Sequence, residues 1–103
     1  MNNKAKILDI AMNLNRVGGL AIDNYEKKKK RIGIFLEETK GYINSIDESS
    51  FPISFRKTFG RFLKEYSLLE KVSIKNHDEK LRWAEEMMTW GNILTHRAKF
   101  LRN

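Results

Sequence analysis

The sequence predicts an all-α fold: a small helical bundle with one long N-terminal helix (about 4–46), two shorter helices (about 51–71 and 77–101) and a dimeric assembly. Three observations predict it. Apolar or small residues recur every seven positions across the first 46 residues. Two later stretches place apolar and aromatic residues at spacings of three and four, the period of a helix face. The chain holds one proline and six glycines, too few for the many turns of an all-β protein.

The first helix carries two heptad series. One is Ile7, Leu14, Ala21, Lys28, Phe35 and Tyr42; the other is Ala11, Gly18, Tyr25, Ile32, Thr39 and Ile46. The obstacle is Gly18-Gly19, since glycine inside a helix costs about 1 kcal/mol relative to alanine. A break there would give four helices. Continuity is favoured because Val17, Ala21 and Tyr25 extend the stripe set by Ile7, Ile10 and Leu14. About 40 residues at a 1.5 Å rise span about 60 Å. A helix that long in a domain this small is expected to protrude or to pair with a second copy.

Asn44 to Ser50 is rich in turn formers. Ser49 or Ser50 is the expected cap of the second helix, with Pro52 in its first turn. Phe55, Phe59, Phe62, Leu63, Tyr66 and Leu69 then form one strongly apolar face. Asn76 with Glu79 three residues later reads as a capping box for the last helix. Acidic residues lie early in that helix and basic ones late, in line with its dipole. Its expected core face is Trp83, Met87, Trp90, Leu94 and Leu101. Beside that face runs a series of small residues, Ala84, Gly91 and Ala98, with the same spacing as Ala11 and Gly18. The two series are expected to face each other, with the last helix antiparallel to the start of the first. Short connections force neighbouring helices antiparallel.

Residues 1–103 form a single domain, since a chain of 103 residues has room for one core. No apolar run approaches the roughly 20 residues of a membrane span, and the first residues lack the apolar core of a secretory signal. Cysteine is absent. That excludes disulfides, thiol chemistry and Cys-based zinc sites, and it suits a reducing, cytoplasmic setting. The net charge is +7, which favours association with anionic partners.

Function must therefore be sought on surfaces. The run Lys27, Lys28, Lys29, Lys30 and Arg31 surrounds the helix axis and forms a basic collar. Lys57, Arg61, Lys64 and Lys71 line up on the second helix, away from its phenylalanines. Such cations suit phosphates or an acidic protein, yet most charge runs are simply solvated faces. No aromatic on that face is placed to stack a base, and Glu65 and Glu70 flank it. Leu8, Met12, Leu20, Leu81 and Met88 fall outside the main apolar stripes and are the candidates for self-association.

Chemistry of other kinds finds little support. His77 and His96 have no partner at the spacing of a metal-binding helix pair. Four pairs of adjacent carboxylates lie on polar faces or in loops, without a pocket to set two acids apart. No phosphate-binding glycine loop exists, because Gly18-Gly19 is not followed by Lys-Ser or Lys-Thr. No cofactor is expected. An enzyme built in a helical bundle would need a buried charged cluster, for which only Arg16 and Lys28 are available. The reading that remains is a non-enzymatic, homodimeric interaction or regulatory protein of coiled-coil character, with a basic surface for an acidic partner. Its alternative is a nucleic-acid-binding protein.

Overall fold

The computed structural model describes residues 1–102 and contains three α-helices: α1 (Asn3–Asn44), α2 (Ile53–Glu70) and α3 (His77–Arg97). Short 3-10 turns follow α1 (Glu48–Ser50) and α3 (Ala98–Phe100). The small bundle and the long N-terminal helix are as the periodicity requires.

The helix α1 does not run straight. A straight helix of 42 residues would be about 63 Å long, whereas the longest dimension of the molecule is 39 Å. Asn24 has extended backbone angles (φ −163°, ψ 87°) inside the helix. Its side chain accepts the N–H of Lys27 at 3.2 Å, which makes Asn24 the N-cap of a second helical arm. The arms 3–23 and 25–44 fold back on each other. Lys6 Nζ donates to the Ser45 carbonyl (3.1 Å), the Tyr42 hydroxyl to Asp9 (3.1 Å), and Asn13 to Glu38 (3.1 Å). The Arg16 guanidinium lies 5.4 Å from the centre of the Phe35 ring. In every pair the two residues are equally far from the Tyr25–Glu26 peptide, the signature of an antiparallel hairpin. The expected 60 Å span and protruding end are thereby corrected: the stretch pairs with itself. Gly18-Gly19 is not the interruption and stays helical.

The register survives because each arm presents its stripe to one shared core. Ile7, Ile10, Leu14, Val17 and Ala21 are fully buried from the first arm, Ile32 and Thr39 from the second. Phe35, Leu36, Tyr42 and Ile43 pack at its margin. The hydrogen bond to Asp9 raises the pKa of the Tyr42 phenol, with burial and the Asp9 and Glu38 charges adding to the effect.

The small-residue seam forms as expected. A Cβ at Gly18 would lie 2.9 Å from the Ala84 carbonyl oxygen and would collide with the Met88 side chain. A Cβ at Gly91 would lie 2.9 Å from the Ala11 carbonyl oxygen and 2.8 Å from the Asn15 amide nitrogen. The helices α3 and α1 are thus antiparallel and nearly in backbone contact.

Aromatic rings, rather than close backbones, attach α2. Phe51, Phe55, Phe59 and Phe62 follow one another with ring centres 4.8–6.2 Å apart. Phe62 reaches Tyr66 at 5.4 Å and Trp90 of α3 at 5.6 Å. Such contacts add about 0.5–1.5 kcal/mol per pair beyond area burial. The Trp83 indole N–H donates to the Leu69 carbonyl at 2.9 Å, which satisfies the last turn of α2.

Two caps differ from expectation. Ser49 and Ser50 do not cap α2. They belong to the 3-10 turn, whose N–H at Ser49 is accepted by Asp47 (3.1 Å), while Pro52 occupies the cap position of α2 without a side-chain bond. Both hydrogen bonds from Ser49 hold the Asp47 carboxyl below its usual pKa, and the Arg56 charge assists. At α3, Asn76 accepts from Glu79 N–H (2.9 Å), but Glu79 reaches back to Lys75 N–H (2.8 Å) rather than to the cap residue itself.

Among the described residues, two core hydroxyls, Thr39 Oγ1 and the Tyr66 phenol, have no hydrogen-bond partner. Burial, with Glu70 and Glu37 nearby, raises the Tyr66 pKa strongly. A buried unpaired polar atom costs about 1–3 kcal/mol. Thr39→Val and Tyr66→Phe are therefore expected to raise stability by about 1 kcal/mol each, read as a higher urea midpoint; a lower midpoint for both would mean the hydroxyls are satisfied. The glycines should divide into two classes. Gly91→Leu overfills the seam and should cost about 1–3 kcal/mol. Gly33→Ala and Gly60→Ala meet open space and should stabilise by about 0.5–1 kcal/mol. Chemical denaturation of the three variants checks the contrast, and equal effects would contradict the close crossing.

Candidate functional site

The reversal at Asn24 sets the basic collar at one end of the bundle. That end also carries the α2–α3 connection: Asp23, Asn24 and Tyr25 share a shallow cleft with Lys75, Asn76 and His77. Within the collar, Lys28 pairs with Asp23 (3.8 Å) and Lys29 with Glu26 (3.6 Å). Lys29 also lies 5.6 Å from the Tyr25 ring centre. Lys27, Lys30 and Arg31 are exposed and form no ion pair among the described residues. The collar is thus half neutralised by the acids of the turn it follows.

On α2, Lys57, Arg61, Lys64 and Lys71 are all exposed and form no ion pair among the described residues. From first to last they cover about 21 Å of helix. Leu68, 59% exposed, interrupts the line. Among the described residues, two Lys or Arg side chains are within ion-pair distance of a carboxylate. Lys6, Arg16 and Arg56 make other contacts within the fold, and the remaining exposed cations are available to solvent and to partners.

The self-association candidates separate into groups. Leu8 and Met12 are exposed, one helical turn apart. Leu20 is half-buried and packs on the core. Leu81 and Met88 are half-buried on α3, Met88 against Gly18 at the seam. Leu8 and Met12 continue into a line that sequence reasoning missed: Leu8, Met12, Gly19 and Ile22 are all exposed on the outward side of the first arm, while Asn15 between them turns its side chain to Gly91 of α3. None is charged, in a chain with 32% charged residues. The spacing alone carries this line, but Gly19 beside Gly18 also reads as a possible helix break.

Arg16 and Lys28 do not come together. Arg16 is exposed beside Phe35, and Lys28 lies at the turn with Asp23. Among the described residues no charged side chain is buried, and no group of three His, Asp or Glu is placed to hold a metal ion. No helix is long and apolar enough to cross a membrane. His77 and His96 are both exposed.

A second site missed in the sequence is a cleft of about 370 Å³ between α2 and α3. It joins Thr58 and Arg61 to Trp90, His96 and Arg97. Trp90 belongs to the expected core face of α3, yet it borders the cleft together with the exposed His96. Comparison with protein-family models, with curated proteins and with solved structures gives no match to this chain.

Proposed function

We propose that this protein is a non-enzymatic helical interaction module that self-associates through the outward side of the first arm of α1 and offers its basic surface to an acidic protein partner. The observation that carries the reading is the charge-free line Leu8, Met12, Gly19 and Ile22, in which Leu8, Met12 and Ile22 are 37%, 47% and 44% exposed. A chain of net charge +7 repels its own copy, and an uncharged face is where that repulsion is least. The line is also self-complementary. Under a two-fold axis between Asn15 and Arg16, Met12 meets the partner copy's Gly19 and Leu8 falls within one residue of its Ile22. At Gly19 a Cβ has nothing within 4 Å, so a methionine has room to lie there. The same patch thus serves both subunits, as a two-fold interface requires. The absence of cysteine suits a cytoplasmic, reducing setting.

Light scattering on the full chain should give twice the 12.2 kDa chain mass. Met12→Lys should give the monomer mass with an unchanged helical circular dichroism spectrum, since Met12 is exposed. A monomer mass for the unmodified chain at the highest attainable concentration would remove the dimer.

The second reading is a nucleic-acid-binding protein. What favours it is the unpaired line of Lys57, Arg61, Lys64 and Lys71. Each phosphate contact contributes about 0.9 to the slope of log affinity against log salt. Changing all four residues to Gln should abolish a gel shift with duplex DNA or RNA measured at low salt. Absence of any shift for the unmodified chain would eliminate this reading, and a shift that survives the four changes would relocate the contact.

A further inference from the structure

We propose that the cleft between α2 and α3 binds a phosphate-ester group carried on a small, flat organic body. It depends on neither self-association nor the full basic line. The walls supply cations and neutral polar groups: the guanidiniums of Arg61 and Arg97, the Thr89 hydroxyl and the imidazole of His96, while the Thr58 hydroxyl beside them donates to the Ser54 carbonyl (3.4 Å). No acidic residue lines it, although 13 are present in the chain. Neither arginine forms an ion pair among the described residues. Guanidiniums recognise phosphate oxygens through two parallel hydrogen bonds, which lysine does not do.

The floor adds an independent observation. Trp90 is 9% exposed and borders the cleft, and no hydrogen bond from its indole N–H is present among the described residues. Trp83, the other tryptophan, is satisfied by Leu69. Trp90 with Ile93 gives the cleft an apolar wall for a ring. The volume of about 370 Å³ falls within the range of small-molecule sites, about 300–1,000 Å³. Phosphate ester is a chemistry found both in free monoesters and in the backbone of a nucleic acid, and Arg61 belongs to the line that would track such a backbone.

The test follows the two indole N–H signals in nitrogen-15 spectra of the full chain. Phenyl phosphate is titrated in one series and a short oligothymidylate in another, each against sodium chloride at matched ionic strength. The expected result is a saturable shift of the Trp90 signal with phenyl phosphate, while Trp83 stays in place. Arg61→Gln and Arg97→Gln should each weaken binding about tenfold, the effect of losing one charge-assisted contact; Lys40→Gln, at an exposed position on the second arm of α1, should leave it unchanged. An unmoved Trp83 signal reports that the variants are folded. Saturation by the oligothymidylate at lower concentration, with the same arginine dependence, supports the site and assigns the phosphate to a nucleic-acid backbone. Shifts that fail to saturate with either probe, that sodium chloride reproduces, or that persist in both arginine variants overturn the proposal.

Discussion

The amide oxygen of Asn24 accepts the Lys27 N–H and holds one residue extended between two helical arms. Everything else in the molecule depends on that reversal. It converts a stretch that would span more than the whole molecule into a hairpin whose arms bury each other's apolar stripes. It also sets the first arm against α3, so that Gly18 meets Ala84 and Gly91 meets Ala11. Without the turn, Ile7 to Ala21 and Ile32 to Thr39 would have no common core to enter.

Much of this was legible. The three helices, their approximate bounds, the aromatic face of α2 and the pairing of the small-residue series all follow from spacing. The reversal was not. Gly18-Gly19 drew the eye because glycine is the costlier helix residue, yet both glycines are helical and Gly18 serves to admit α3. Asn24 is an ordinary residue for a helix interior by propensity, and its capping role becomes visible only when the chain ahead of it has somewhere to return to. Continuity of the apolar phase across residues 7–46 was sound evidence for a common core and weak evidence for a straight axis. The same limit hid the cleft beside Trp90: a helical wheel assigns faces to one helix at a time, while the cleft arises from the distance between two.

Charge plays little part in holding the fold together. The described residues include no buried charged side chain and two ion pairs, both near the Asn24 turn. Stability comes from apolar burial and from close packing. The positive surface is therefore free to be shaped by solubility and by partners, which is where the proposed readings lie. The polar atoms that are buried tell the opposite story: Asn13 bonds Glu38 across the hairpin, while Thr39 and Tyr66 carry hydroxyls without partners.

The bundle holds its helices in two unlike ways, and the two place unlike demands on sequence change. Where α1 and α3 cross, carbonyl oxygens stand so near the glycines that almost any side chain is refused, and the position tolerates very few amino acids. Where α2 is attached, rings meet at several ångströms and in varied orientations, from stacked to edge-on. Volume there can be redistributed among neighbours, since cores accept apolar exchanges that conserve total size. Over many rounds of substitution the first contact should stay fixed while the second drifts. A cleft bordered by one rigid helix and one adaptable helix can then change the ligand it fits without disturbing the hairpin beneath it.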